Sequence, residues 1–358
     1  WATQTTLNPT PYDESQLEDT SCLSATACIA VGNDEYARSG LVQYWDGTSW
    51  TALPTVTNAY FTGVSCANEA CLFTGYWRNG AAVIWRMQKI GGKAWGSIGA
   101  LTTPMPSGSS EVKLEDVACS DETACTAVGS YYSESVGTQV PLAMRWNGSA
   151  WTIQTTPYPS GGEGTTGKLL AVSCPISTSC TAVGTKVLGN TQVFSERWNG
   201  TSWSIVSVPS PAGATEGALE EVSCATSSAC MGVGWFKESS SPRKGLSESW
   251  NGSVWSTVAT PAPSGAENGV TLSGISCTAA TACTAVGRTG GVGIVKAEST
   301  LAQTWDGSEW ATQPTINPLT YSRLSGVSCT AAGACTAVGK KRPESASKGT
   351  LTLAERWG

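Results

Sequence analysis

The sequence predicts an all-β fold, a seven-bladed β-propeller of four-stranded antiparallel blades whose ring is closed by the N-terminal strand. Three observations carry that prediction. One unit recurs along the whole chain, the two chain ends are complementary parts of one copy, and every copy holds one cysteine pair. The unit reads Leu-x-x-Val-Ser-Cys, then five residues, then Cys-Thr-Ala-Val-Gly, then a variable stretch, then Arg-Trp-Asn-Gly-Thr-Ser-Trp and a Pro-rich segment. Its first cysteine is Cys22, Cys66, Cys119, Cys174, Cys224, Cys277 or Cys329. The steps between them, roughly 44 to 55 residues, are close to the length of a four-stranded blade.

The last copy stops at Ala354-Glu355-Arg356-Trp357-Gly358, without its second Trp and Pro-rich strand, and the chain opens on Trp1-Ala2-Thr3-Gln4-Thr5-Thr6-Leu7-Asn8-Pro9, which is that missing piece. A linear solenoid has no reason to split a repeat in this way. A ring does, because the first strand can complete the last blade. The expected organisation is one domain, 1–358, with blades at about 17–57, 58–106, 112–160, 167–212, 218–264, 270–319 and 320–358 plus 1–12.

Within a copy, strand A is the Leu-x-x-Val-Ser-Cys segment, as in Leu324 to Cys329, and strand B is Cys-Thr-Ala-Val-Gly, as in Cys335 to Gly339. The lack of charge in both suits strands covered on two faces. Strand C runs into the first Trp and strand D follows the second. The Asn-Gly or Asp-Gly between them predicts a tight type I′ hairpin with positive φ at both central residues. No segment shows a helical period.

The 14 cysteines fall as Cys22 with Cys28, Cys66 with Cys71, Cys119 with Cys125, Cys174 with Cys180, Cys224 with Cys230, Cys277 with Cys283, and Cys329 with Cys335. One pair per copy points to seven intra-blade disulfides between strands A and B, each worth roughly 2 kcal/mol in the chain-entropy picture. The spacing is too long for a C-x2-C zinc or redox motif. An oxidising compartment follows, so the protein is expected to be secreted, on a cell surface or in a periplasm.

Composition removes several functions. The chain has 358 residues, no His, 13% charged residues and a formal charge of −6. Without His, Ser-His-Asp and Cys-His catalysis and His-bound zinc or haem are excluded within this chain. Lys and Arg are scattered, leaving no positive stripe for nucleic acid. No run approaches the ~18 apolar residues of a membrane-spanning helix and no basic-then-apolar leader opens the chain, so membrane insertion is not expected and a mature soluble protein or excised domain is.

The Val-Ser-Cys…Ala-Cys-Thr-Ala-Val-Gly and Arg-Trp-Asn-Gly-Thr-Ser-Trp-x-x-x-Pro-Thr-Pro pattern resembles the repeats of secreted bacterial β-propellers common in actinobacteria, over essentially the whole chain. The resemblance implies fold and location. It leaves function open, since propellers host unrelated activities. The second copy departs from the pattern, with Cys-Leu-Phe-Thr-Gly in strand B and a longer insert between Trp85 and Trp95.

What is constant across copies reads as scaffold, and what varies as a candidate site. Directly after strand B stand Tyr76-Trp77, Tyr131-Tyr132 and Trp235-Phe236 in three copies, and Lys186, Arg288 and Lys340 in three others. These are expected to ring the face opposite the disulfides. Aromatic faces stack on sugar rings and charged groups bond hydroxyls or carboxylates, so the ring is a candidate carbohydrate surface. The alternative is that the aromatics only cap their own blades.

A second group, Glu18-Asp19, Glu115-Asp116 and Glu220-Glu221, is expected near the axial channel mouth. It reads as solvated loop-end charges, as oxygen ligands for a structural cation such as Ca2+, or as paired glycosidase carboxylates. No cofactor is required. The Trp pairs flanking the C-to-D turn, such as Trp146 and Trp151, read as packing between blades rather than one sugar site per blade. Three functions remain open: a non-catalytic, lectin-like module for glycans or a cell-surface polymer, a glycan-cleaving enzyme, and a protein-interaction unit.

Overall fold

Strands A and B of each copy run antiparallel and place their two cysteines opposite or beside one another, as with Cys119 and Cys125 on Ser109–Asp121 and Ala124–Ser133. In the third copy these strands are followed by Thr138–Trp146 and Trp151–Gln154, giving a four-stranded sheet in sequence order. The other copies repeat this plan. The result is an all-β, propeller-like fold with seven disulfides, one per blade. The computed structural model describes residues 1–8, 14–90, 94–159, 165–263, 266, 269–290, 298–319, 321–342 and 349–358, and no helix occurs among them. Residues 9–12, assigned to the last blade, lie outside this set.

The innermost strands are Ser15–Ser24, Ala59–Ala67, Ser109–Asp121, Thr166–Ile176, Glu216–Thr226, Val270–Ala279 and Tyr321–Ala331. Each packs against its neighbours in sequence, and Ser15–Ser24 also packs against Tyr321–Ala331. Strand B is buried on both faces, as in Cys125 to Ser130, as its uncharged sequence predicts. The apolar clusters extend between blades: Leu72 and Ile84 of one copy join Leu114, Leu142, Met144 and Trp146 of the next. At the chain ends, Leu17, Ala30 and Trp45 share a cluster with Val338 and Ala354.

Two side-chain contacts recur at the seams. The Ser of Val-Ser-Cys accepts the N–H of the next blade's first cysteine: Ser21 from Cys66 (3.0 Å), Ser65 from Cys119 (2.9 Å), Ser173 from Cys224 (3.0 Å), Ser223 from Cys277 (2.9 Å) and Ser276 from Cys329 (3.0 Å). Ser328 accepts from Cys22 at 3.0 Å. The third copy has Ala118, which has no hydroxyl to offer. The Arg before the first Trp lies over the next blade's Trp ring: Arg145 on Trp198 (4.8 Å), Arg197 on Trp250 (4.5 Å), Arg356 on Trp45 (4.8 Å). Such cation–π contacts gain strength when desolvated.

At the termini, Ala2–Gln4 pairs antiparallel with Leu351–Trp357, with Ala2 opposite Arg356 and the Trp1 and Trp357 rings stacked at 5.9 Å. This is the relation of Trp146 to Trp151, which are cross-strand partners 5.7 Å apart, 6% and 5% exposed. The Trp pairs are therefore packing elements, as expected.

The turn between them differs from the prediction. Four residues, 147–150, separate the strands, and only Gly148 has positive φ (92°). Asn147 Oδ1 instead accepts the N–H groups of Ser149 and Ala150 and the Ser149 hydroxyl, at 2.8–2.9 Å. Asp46, Asn199, Asn251 and Asp306 close the same Asx-type loop. The side chain does the work that a second left-handed residue would do in a two-residue turn. These loops pack on the A-to-B turns, with Gly148 against Thr123, so disulfides and Asx loops share one face.

Candidate functional site

The site is prepared by an irregularity common to all copies. The register of strands A and B slips at the residue after the repeated Leu or Phe: between Leu17 and Asp19, Phe61 and Gly63, Leu114 and Asp116, Leu169 and Ala171, Leu219 and Glu221, Leu272 and Gly274, Leu324 and Gly326. A bulge adds one unpaired residue and turns side chains out of strict alternation. At three of these slips two successive acids, Glu18–Asp19, Glu115–Asp116 and Glu220–Glu221, line one cavity. Facing each bulge is the Gly of Cys-Thr-Ala-Val-Gly. A Cβ on Gly129 would lie 2.0 Å from the Lys113 carbonyl oxygen, and one on Gly234 2.0 Å from that of Ala218. The glycine present in all seven copies is the signal for this feature, since Gly inside a strand marks a bulge or a close backbone approach.

The acidic pairs sit at these bulges, so they are not loop-end charges. Asp19 accepts the N–H of Thr20 (2.7 Å) and, from the next blade, of Val64 (2.8 Å). Asp116 accepts from Val117 (2.6 Å) and from Val172 of the next blade (2.8 Å). Glu221 accepts from Val222 at 2.9 Å. The preceding blade makes room: a Cβ on Gly63 would stand 2.8 Å from Asp116 Oδ1, and one on Gly326 2.8 Å from the Asp19 Cα. Burial pushes the Asp116 carboxyl up to about 8, with the Asp19 charge adding to it. Burial raises Asp19 to about 6 against its two N–H donors, and lifts Glu221 well above the carboxylate range. Among the described residues no three His, Cys, Asp or Glu side chains are placed to hold a metal ion.

Asp19, Asp116 and Glu221 are part of the lining of a polar cavity of about 410 Å³. Glu18, Glu115 and Glu220 line it together with Arg243, Arg288 and Arg323. Burial raises the Glu18 and Glu115 carboxyls, and Arg323 and Lys340 partly offset this at Glu18. Glu220 accepts the Trp235 indole N–H at 2.7 Å. Gln16 donates to Glu18 and accepts from Lys340 Nζ, the latter at 2.7 Å.

The nine residues expected to form one ring after strand B divide into two sets, because side chains alternate along a strand. Of the residues first after the glycine, Arg288 lines the cavity, Trp235 donates to Glu220, Lys340 donates to Gln16, which bonds Glu18, and Tyr76 interacts with the Glu115 charge. Of the second residues, Trp77 packs edge-on against Trp85 at 6.4 Å, Tyr131 joins the blade core, and Phe236 lines a separate cleft of about 430 Å³ with Pro211, Pro242 and Val258. Lys186 and Tyr132 are half-buried on the rims of their own blades. Trp235 is not an open stacking platform, being 6% exposed with the Arg243 guanidinium 3.7 Å over its ring. Tyr76 stacks on Tyr60 at 5.4 Å beneath Lys113 Nζ.

Sequence reasoning missed Arg243 and Arg323. Arg323 precedes the repeated Leu and pairs across the strands with Lys340, a relation that needs the register. Arg243 stands just before a third strand, Lys244–Trp250, inside a stretch that differs between copies.

No family model matches the chain, and no curated protein does. Solved structures do. YCF48 from Cyanidioschyzon merolae is 16% identical with a TM-score of 0.57, covering 99% of this chain and 98% of its own. A YCF48 bound to a D1 peptide is 12% identical with a TM-score of 0.56, covering 99% and 97%. The six-bladed fucose-recognising lectin of Aleuria aurantia is 11% identical with a TM-score of 0.51, covering 86% and 97%. At these identities the likeness establishes a β-propeller fold and nothing about ligands.

Proposed function

We propose that this protein is a secreted, non-catalytic binding module that recognises a glycan at the mouth of its central channel. The observation that carries the reading is convergence. Glu18, Glu115 and Glu220 from three blades line one polar cavity with Thr62, Ser273 and Ser325. Sugar hydroxyls are bound by such fixed acceptors and donors in a concave site. Propellers of similar form include one that recognises fucose and one bound to a peptide, which supports a binding role. Seven disulfides favour an oxidising, extracellular setting, and among the described residues no helix is long and apolar enough to cross a membrane.

A glycan array probed with the labelled chain should show binding to a subset of glycans, weakened at least about tenfold by Glu220→Gln, a loss of ~1.4 kcal/mol. That variant keeps an oxygen for the Trp235 N–H. Signal no higher than background across the array, or binding indifferent to Glu220→Gln and Glu115→Gln, overturns the reading. New reducing ends released from a polysaccharide, and lost in Glu115→Gln, would replace it with glycan cleavage.

The same reading holds the fold to be a closed ring of seven blades. Its support is the equivalence of the terminal seam to the internal ones: the Ser328–Cys22 bond repeats Ser223–Cys277, and Arg356 on Trp45 repeats Arg197 on Trp250. In a closed ring Ser328→Ala and Ser223→Ala each destabilise by about 1 kcal/mol. In an open arc, thermal melts would show a loss for Ser223→Ala alone.

A further inference from the structure

We propose that the glycan end taken by the central mouth is acidic, its carboxylate held by Arg243, Arg288 and Arg323. The inference rests on the glycan-binding reading and adds to it the charge of the ligand.

The three guanidinium groups come from three successive blades and line the same cavity of about 410 Å³. Lys340 stands opposite Arg323 across the strand pair. Their charge is met in part by acids of the same site, Glu18 acting on Arg323 and Lys340 and Glu220 on Arg243. Arg288 has Glu298 at 3.4 Å. Arg243 lies on the Trp235 ring, Lys340 donates to the neutral Gln16, and the Arg323 Nε is buried without an acceptor. Burial lowers the proton affinity of Arg243, Arg323 and Lys340 and neighbouring cations add to it, against the opposing charges of Glu220 at Arg243 and Glu18 at the other two. A bound anion would relieve both effects. A guanidinium fork binds a carboxylate bidentately, and this pairing is stronger than a neutral hydrogen bond.

The acids interleaved with these cations decide what accompanies the anion: Glu220 and Arg243 both contact Trp235, and Glu18 acts on Arg323. Glu18, Glu115 and Glu220, with Asp19, Asp116 and Glu221 in the same lining, disfavour a bare phosphate or sulfate, so the ligand must bring hydrogen-bond donors as well as its carboxylate. Thr62, Thr271, Ser273 and Ser325 complete the lining, with Leu170 as its one large apolar side chain. A peptide side chain would find little apolar surface there. A saccharide ring carrying one carboxylate and several hydroxyls offers an anion to the arginines and donors to the acids.

The test compares D-glucuronate with D-glucose, which differ in carboxylate against hydroxymethyl, by ligand-detected NMR and calorimetry on the full chain. Acetyl-Ala-Ala, with a free terminal carboxylate, serves as the peptide probe. The expected result is that glucuronate binds at least about tenfold more tightly than glucose, weakens as salt is raised, and loses that preference in Arg323→Gln and Arg288→Gln. Thermal melts establish that each variant folds, and Lys237→Gln, on the strand carrying Trp235 but outside the cavity, should leave binding unchanged.

Equal binding of the two sugars, or a glucuronate preference that survives both Arg substitutions, overturns the acidic assignment and leaves the glycan reading standing. A response to acetyl-Ala-Ala with none to either sugar overturns both. Silence toward glucuronate while the array shows neutral glycans bound overturns the acidic assignment alone.

Discussion

Gly234→Ala is expected to destabilise the protein by about 3 kcal/mol or more, whereas Gly232→Ala, two residues away on the same strand, should be neutral or slightly stabilising. Both glycines lie in Cys-Met-Gly-Val-Gly, the fifth copy's version of strand B. Gly234 faces the bulge: an added Cβ would lie 2.0 Å from the Ala218 carbonyl oxygen and 3.0 Å from the Leu219 Cα, both main chain. Backbone cannot rotate aside as a flexible side chain can, so strand A must shift or its bulge must be lost. Gly232 occupies the place that other copies fill with Ala, and its Cβ would meet the Leu219 methyls at 3.4 Å, ordinary contact. The contrast is read by thermal unfolding. Equal effects at the two positions would refute the bulge as the reason for the repeated glycine. Because the bulge presents Glu220 and Glu221, Gly234→Ala should also weaken glycan binding before it unfolds the blade.

Glu196→Gln is expected to stabilise the protein at alkaline pH by on the order of 3 kcal/mol, with little effect below the ordinary Glu range. The internal comparison explains why. Two residues before the first Trp, Gln43 donates to the Leu7 carbonyl (2.7 Å) and accepts the Leu7 N–H (3.2 Å), and Gln303 donates to the Pro261 carbonyl at 2.8 Å. Each reaches the Pro-rich segment of the preceding blade. Glu196 holds this position in the fourth copy, where the corresponding residue of that segment is Pro157, with no N–H to give. Both of its carboxyl oxygens are buried without a partner, and the residue is 0% exposed.

Burial accordingly raises its pKa to about 8. The unfolded chain releases this proton near the ordinary Glu value of 4.5. Between those values the folded state binds more protons, so stability falls as pH rises through the window and the full cost is present above about 8. Glu248, raised to about 7, adds to the same slope. Gln carries no charge and can donate as Gln303 does. Melting temperatures between pH 5 and pH 9 should show a shallower decline for the variant, and an unchanged slope would show that Glu196 does not titrate in this window.

The cysteine pairing and the uncharged, doubly covered strand B were legible because each follows from neighbours a few residues apart. The turn after Trp146 was located correctly and its geometry was not, because Asn147 can either adopt the left-handed region itself or tie the loop through its side chain, and composition does not choose. The acids at 18–19, 115–116 and 220–221 were visible as a group. Their burial was not, since it depends on Val64 and Val172 of adjacent blades offering N–H groups and on Gly63 and Gly326 leaving space.

The chain's repeat, read alone, was sufficient for the blade plan, the disulfides and the complementarity of Trp357 with Trp1, because copies of one unit obey the same short-range rules and any deviation stands out against the rest. Only the tertiary structure decided that Trp235 bonds Glu220 and Arg288 lines the cavity while Trp77 and Phe236 pack elsewhere, and that Arg243 and Arg323 join the glutamates there. Those placements depend on a one-residue bulge and on inner strands from distant parts of the chain meeting at one mouth, and a one-residue change of register sends a side chain to the opposite face.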